Sequence, residues 1–225
     1  MNQRVCKRIF NVDIKNYTKS KLDECGIHII FDEVNLMNAH ILIIGPKDTP
    51  YENGYYIFTV KFTEEYPFKP PKVLFRSISK VRIHPNMYTS GKVCLSILGT
   101  WPGPSWSSIM DINSIACSIQ SLMSNKAIQH EPGFDSEEGV NCKHYDRIIR
   151  FENINSYVCN IIERCKLGSA FGFDSIILEH FDKNVILKQI EKYNNKKVGQ
   201  IQLVKPYNIS LEENYDALKI QVDEL

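Results

Sequence analysis

One thiol and one side-chain amide pose the chemical question. They lie in His84-Pro85-Asn86-Met87-Tyr88-Thr89-Ser90-Gly91-Lys92-Val93-Cys94-Leu95-Ser96. Pro85 and Gly91 oppose regular helix or strand, so the stretch reads as an extended loop carrying Asn86 and Cys94. A thiol on a loop is a candidate nucleophile, able to take an acyl group as a thioester and lose it to an amine. Most free cysteines are small buried hydrophobes instead, and Cys94 by itself does not decide between the two. Asn86 suits acyl transfer because its amide donates a hydrogen bond without titrating. It can act on a developing oxyanion or simply brace its own turn. His84 reads mainly as a structural member of a His-Pro-Asn turn, with general-base catalysis the lesser alternative.

The flanking residues narrow the choice. Tyr66-Pro67-Phe68-Lys69-Pro70-Pro71-Lys72-Val73 precedes the loop, Gly91-Lys92-Val93-Cys94-Leu95 closes it, and Trp106 follows. Seven residues separate Asn86 from Cys94. In this order and spacing the chain resembles the ubiquitin-conjugating enzymes over roughly residues 1–166. The segments Leu98-Gly99-Thr100-Trp101, Gly103-Pro104, Trp106-Ser107, Ser118-Ile119-Gln120-Ser121-Leu122-Met123 and Glu131-Pro132-Gly133-Phe134 further resemble one subfamily. Its members carry a long C-terminal extension and are charged by the divergent second ubiquitin-activating enzyme.

The resemblance implies roles residue by residue. Cys94 would hold ubiquitin, or a ubiquitin-like protein, as a thioester received from an activating enzyme. It would pass the cargo to a substrate lysine or to a ligase. Asn86 would serve the oxyanion. Glu131 stands where many members have Asp and would orient and desolvate the attacking amine; its bland reading is a surface carboxylate before Pro132. Ser96, two residues after the cysteine, would line the gate or be a phosphorylation point. Arg4, Lys7 and Arg8 on the first helix would face the activating enzyme, and Phe68, Ser107 and Ser108 the ligases. Cys117, Ser118 and Ser121 on the crossing helix would hold the donor ubiquitin. Two departures stand out: the Gly99–Pro104 segment adds four residues relative to short members, and Ser108-Ile109 replaces the common Pro-Ala. Coupling to RING-type ligases is the property these departures put in question.

The elements that must position these residues read as an α+β chain. Arg4 to Tyr17 is expected as a helix, with an apolar stripe of Val5, Ile9, Val12 (or Phe10) and Ile14. Ile27–Phe31, His40–Ile44, Tyr55–Phe62 and Lys72–Phe75 read as strands of an antiparallel meander. Tyr66-Pro67 is a candidate cis bond. Asp111 or Asn113 caps a helix running to about Ser124, buried through Ile112, Ile115, Ile119, Leu122 and Met123. A stripe from Tyr145 to Cys165 predicts a long helix. Ile177, Phe181, Val185, Leu187 and Ile190 predict another over Ser175–Tyr193. Gly199 to Val204 reads as a strand or hairpin arm, and Leu211, Tyr215, Leu218 and Val222 as a final helix. The organisation expected is a catalytic core over 1–166 with a mainly helical extension over 167–225 packed on it, with Gly168 and Gly172 marking a bend.

Composition bounds the partners. The 225 residues are 43% hydrophobic and 24% charged, ample for a globular core. A formal net charge of +1 gives no global case for nucleic acid or membrane binding, and no apolar run reaches bilayer length. Seven cysteines without a C-x-x-C pair favour a reduced intracellular protein, cytoplasmic or nuclear (host cytoplasm if the source is a virus or parasite). A monomer with no cofactor and no metal is expected; no ligand pair has finger-like spacing. Two other readings stay open: a cysteine hydrolase using His84 or His130, and a non-catalytic ubiquitin-binding variant.

Overall fold

The computed structural model describes residues 2–194, 199–203 and 205–225. The described residues form two compact units. One comprises the chain up to Gly45, Tyr56–Ser77 and Asn86–Met123; the other comprises Pro46–Tyr55, Ile78–Pro85 and Ser124–Leu225.

The first unit starts with helix α1 (Gln3–Arg8), which continues through a widened π segment, Ile9–Ile14, into α2 (Lys15–Ser20). The expected stripe needs correction here. Val5 and Ile9 are fully buried, but Phe10 is 56% exposed and Val12 and Ile14 are only half-buried. The next fully buried position is Asp13, because the buried row advances by four residues through the π segment. A carboxylate in that row needs partners. Its Oδ1 accepts the Tyr66 hydroxyl at 2.5 Å and the Ile112 N–H at 3.0 Å. Burial pushes Asp13 up to about 6, against the lowering effect of those two bonds and of Arg8.

A stability effect follows from that shift. Between the ordinary carboxylate value and about 6 the folded chain binds more protons at Asp13 than the unfolded chain does. The site therefore favours folding at acid pH, and that contribution is lost as pH rises through this window. Asp13→Asn should flatten this slope, with a difference of order 3 kcal/mol between pH 4 and pH 7. Urea unfolding of both proteins across that range tests it; parallel slopes would refute it.

Four strands follow: β1 (Ile27–Phe31), β2 (Asn38–Ile44), β3 (Tyr55–Lys61) and β4 (Lys72–Phe75), in the sheet order β1-β2-β3-β4. The expected meander is observed, with β2 beginning two residues early at Asn38 and β3 ending one residue early at Lys61. Antiparallel pairs Ile27↔Ile43, Ile29↔Ile41, Phe58↔Phe75 and Val60↔Val73 place buried side chains opposite one another. The Tyr66-Pro67 bond is cis. Helix α3 (Ile112–Leu122) has Asp111, not Asn113, at its N-cap. Asp111 accepts from Ser114 N, and the Ser114 hydroxyl lies 3.4 Å from the Asp111 N–H, a capping box. Ile112, Ile115, Ile119, Leu122 and Met123 are all buried, as the pattern predicts.

In the second unit a long helical run consists of α4 (Val140–Glu152), a π segment at Asn153–Cys159 and α5 (Asn160–Lys166). Tyr145, Ile148, Phe151, Ile154, Val158, Ile161 and Cys165 are all buried along it. The single helix expected over Ser175–Tyr193 is two: α6 (Asp174–His180) and α7 (Lys183–Tyr193). Asp182 causes the break, its carboxylate accepting from Asn184 N and Val185 N to start α7. The new start rotates the buried face onto Ile186, Gln189 and Ile190, and Val185 is left 44% exposed. Gly168 and Gly172 both adopt positive φ, as a bend requires. A hairpin follows, β5 (Gly199–Leu203) and β6 (Ile209–Glu213); the Val204 end of the expected arm lies outside the described residues. Leu211 belongs to β6, so the final helix, α8 (Tyr215–Glu224), starts later than its stripe suggested. Asn214 caps it by accepting from Ala217 N at 2.9 Å. Within this unit α6 packs on α5, β5 on α4, and α8 on α7 and on the π segment. Among the described residues no helix is long and apolar enough to cross a membrane, and no cluster of three His, Cys, Asp or Glu could hold a metal.

Candidate active site

In the first unit the Asn86–Cys94 segment folds back on itself. Cys94 N donates to Asn86 O at 2.8 Å, and Asn86 Nδ2 donates to Cys94 O at 2.9 Å. Asn86 therefore grips the cysteine backbone with both its main chain and its side chain. The turn at the far end is closed by Gly91 N donating to Tyr88 O and Tyr88 N to Lys92 O. Gly91 has φ +90°, and an added Cβ would lie 3.0 Å from Phe75 O, so the turn needs glycine on two counts. Phe75 N donates to Gly91 O at 2.8 Å, tying the turn to β4.

Thr100 completes the cradle, a role the sequence did not suggest. Its hydroxyl donates to Val93 O at 2.8 Å and accepts from Leu95 N at 2.9 Å, so it clamps the residues on both sides of Cys94. Cys94 is only 2% exposed and Asn86 3%, so both side chains are buried within the loop. Ser96 starts a short 3-10 turn, Ser96–Leu98, and is half-buried. The inserted Gly99–Pro104 segment returns over it. A Cβ on Gly103 would come 2.9 Å from Ser96 Cβ, so only glycine fits.

The residues expected to meet the activating enzyme and ligases are brought together. Arg4 donates to Glu64 O at 3.2 Å, and its guanidinium lies 5.3 Å from the centre of the Phe68 ring. Arg8 donates to Met110 O at 2.8 Å and Ser108 O at 3.3 Å. Lys7 is exposed beside them on α1, and Ser107 and Ser108 are exposed. Phe68 and Ile109 are 69% and 85% exposed, large apolar groups offered to solvent. Trp106 is anchored by its Nε1–H to Pro67 O at 2.7 Å.

On α3, Cys117 and Ser121 are exposed and Ser118 half-buried. Both serine hydroxyls donate to their own helix, Ser118 to Ser114 O and Ser121 to Ser118 O. All seven cysteines are free, and the six others lie on helical segments or at their ends. Burial pushes the Cys159 thiol up to about 12 and that of Cys165 up to about 11. Desolvation also raises the thiols of Cys117 and Cys142.

The remaining candidates lie in the second unit. His84 is fully buried, its ring 6.2 Å from that of Tyr51 and 5.0 Å from that of His130. Burial lowers His130 below the ordinary imidazole value. Glu131 follows a short turn, Ala127–His130, and bonds Tyr207. Arg82 Nη2 lies 3.8 Å from the same carboxylate, and neither Arg82 nor Tyr207 was singled out from sequence; a phenol 76 positions from its carboxylate leaves no local pattern.

Comparison with known proteins agrees with this architecture. A profile of the ubiquitin-conjugating enzymes matches residues 10–152. Ubiquitin-conjugating enzyme E2 Z of Homo sapiens is 44% identical over 163 residues, covering 70% of this chain and 46% of that protein. The probable ubiquitin-conjugating enzyme protein 17 of Caenorhabditis elegans is 36% identical over 181 residues, 75% of this chain and 24% of that one. The dual E2 ubiquitin-conjugating enzyme/E3 ubiquitin-protein ligase BIRC6 of Homo sapiens is 35% identical over 181 residues, 74% of this chain and 4% of its own length. The chain spans about half the length of the first of these relatives and far less of the other two. With the meander, the capped α3 and the Asn86–Cys94 loop inside the matched region, the chain belongs to the ubiquitin-conjugating enzyme family.

Proposed function

We propose that the protein accepts ubiquitin from an activating enzyme as a thioester on Cys94 and transfers it to a lysine amine or to a ligase. The observation that carries this reading is the grip on the cysteine. Asn86 bonds the Cys94 backbone through both its main chain and its side chain, and Thr100 bonds the backbone of Val93 and Leu95 on either side. A thioester is already activated, so fixing its position supplies much of the catalysis. Incubation with ATP, ubiquitin and each activating enzyme in turn tests the proposal. A reductant-sensitive adduct is expected; its absence with every modifier and activating enzyme tried would refute it.

In this reading Asn86 acts twice. Its amide holds the Cys94 carbonyl, and the same group stabilises charge as the amine attacks. Loading is exchange between thioesters, so it depends less on oxyanion stabilisation than aminolysis does. Asn86→Ala should load at near the normal rate but discharge onto free lysine about 10- to 100-fold more slowly. It should also lose about 1–3 kcal/mol of stability, because the Cys94 carbonyl is left buried without that donor. Equal loss of loading and discharge would mean that Asn86 serves the loop alone. Glu131 is assigned to discharge by chain order, as the carboxylate that orients and desolvates the amine. We further assign residues 1–166 as the conjugating core and 167–225 as its extension. The contacts of α6 with α5 and of α8 with the π segment support an extension that is packed. The surface of Arg4, Lys7, Arg8, Phe68 and Ser108 is assigned to the activating enzyme and ligases.

A further inference from the structure

Thr100 returns to Cys94 through a reversal written into the residues between them. Ser96–Leu98 forms one 3-10 turn, closed by Leu98 N donating to Leu95 O at 3.1 Å. Gly99 ends the turn at φ +68°, and its N–H donates to Ser96 O at 2.8 Å. Glycine enters that left-handed conformation without steric cost. The chain therefore doubles back, and Thr100 N donates to Leu95 O at 3.2 Å. The segment is held down again at Gly103, whose close approach to Ser96 leaves no room for a Cβ. The Thr100 hydroxyl then donates to Val93 O at 2.8 Å and accepts from Leu95 N at 2.9 Å. A hydroxyl has one proton and two lone pairs, so one side chain fills both roles.

Val93 O belongs to the peptide plane before Cys94, and Leu95 N to the plane after it. Peptide planes are rigid, so the only soft angles between these two are φ and ψ of Cys94. One oxygen atom tied to both planes restrains both angles, and with them the direction of the Cys94 Cα–Cβ bond. Asn86 holds the same two planes, through Cys94 N and Cys94 O. We propose that the Gly99–Pro104 segment is part of the active site, with Thr100 as a positioning residue that fixes Cys94 for loading and discharge alike. This rests on the thioester reading of Cys94. In loading, Cys94 releases its proton to solvent and Sγ bonds the carbonyl carbon of the activating enzyme's thioester. The old carbon–sulfur bond breaks with its electron pair going to the activating enzyme's sulfur. In discharge, the amine nitrogen bonds that carbon and gives up its proton to solvent. The bond to Cys94 Sγ breaks with its pair going to Sγ. Sγ is the attacking atom in one step and the departing atom in the other. A wandering Cβ would therefore slow both by a similar factor. Asn86→Ala, by contrast, falls mainly on discharge.

Thr100→Val keeps the side-chain shape and removes the hydroxyl, whereas Thr100→Ser keeps the hydroxyl. Thr100 is exposed while Val93, Cys94 and Leu95 are buried, so neither change opens the core. Single-turnover loading of the full-length protein by ubiquitin-charged activating enzyme gives a maximal rate constant, a half-saturating concentration and a loaded fraction. Discharge of the loaded protein onto free lysine gives a second rate constant. Thr100→Val should lower both rate constants by the same factor, about 3- to 10-fold, with the half-saturating concentration and the loaded fraction unchanged. Thr100→Ser should restore both. Wild-type rates in Thr100→Val, slowing of one step alone, or a serine variant as slow as the valine one would overturn the proposal. A loss confined to the loaded fraction would show that the hydroxyl only stabilises the fold, and a change confined to the half-saturating concentration that the segment meets the activating enzyme; either overturns it. In all these cases a wild-type protein that loads leaves the thioester reading standing. If the wild type itself forms no thioester, that reading fails and the proposal with it.

Discussion

Cys94→Ser should abolish every reductant-sensitive adduct and leave in its place an oxyester that survives thiol treatment. The expectation is all-or-none because the other six cysteines lie on helical segments or at their ends, outside any such cradle. Cys159 and Cys165 are buried in the long helical run, with thiols pushed up to about 12 and about 11, so neither supplies thiolate near neutral pH. Cys142 is buried as well, and Cys117 is raised by desolvation. Only Cys94 lies outside the helical segments, with its flanking residues held by Asn86 and Thr100. Serine is close to isosteric, so the backbone cradle should persist in the variant. Gel mobility of the loaded protein with and without reductant decides the matter. A thioester that persists in the serine variant would move the reaction to another cysteine.

Ending the chain at residue 166 should produce a protein that aggregates or melts far below the full-length form. Phe173, Ile177, Ile186, Ile190, Leu218 and Val222 are buried, and all lie beyond that point. Burying one such side chain is worth about 1.5–3 kcal/mol, so their summed gross contribution is comparable with the whole net stability of about 5–15 kcal/mol typical of a domain. Polar groups would be stranded too. Asn53 Nδ2 donates to Gln189 Oε1 at 3.0 Å, and Gln189 Nε2 donates to Glu52 O at 3.2 Å. Thermal unfolding of the truncated and full-length proteins should differ by well over 10 °C. Limited proteolysis of the full-length chain should leave a fragment near its original size. Rapid trimming to a stable piece of about 150–166 residues, an ordinary domain size, would overturn this expectation.

How far the sequence reached depended on whether a feature was local. The Asn86–Cys94 loop was legible because Pro85 and Gly91 punctuate it and its spacing matches a family pattern. The strands and α3 were legible because their apolar residues recur at periods of two and 3.6 with an Asp at the N-cap. Asp13 was not, because a periodicity argument seeks apolar residues and passes over a carboxylate that Tyr66 and the Ile112 N–H make tolerable. The break at Phe181–Asp182 was missed for a related reason: the apolar stripe continues across it in sequence, and only the capping bonds of Asp182 show that the helix restarts. Thr100 and Tyr207 act through hydroxyl contacts that no spacing rule anticipates. One reaches five residues, the other 76.

The second unit is stitched from three stretches of chain, and this has a consequence for how the polypeptide is made. Residues 46–55 find partners such as Asn153, His180 and Gln189, up to 137 positions later. At synthesis speeds of about 5–20 residues per second, those early residues leave the ribosome roughly 5–25 seconds before their partners do. Tyr55, almost fully buried in the finished protein, passes that interval without His180, the partner its hydroxyl meets 125 positions later. Closing such long loops is slow relative to forming local helices. The nascent chain thus carries a period of exposure to misassociation, ended only when the last quarter of the sequence arrives.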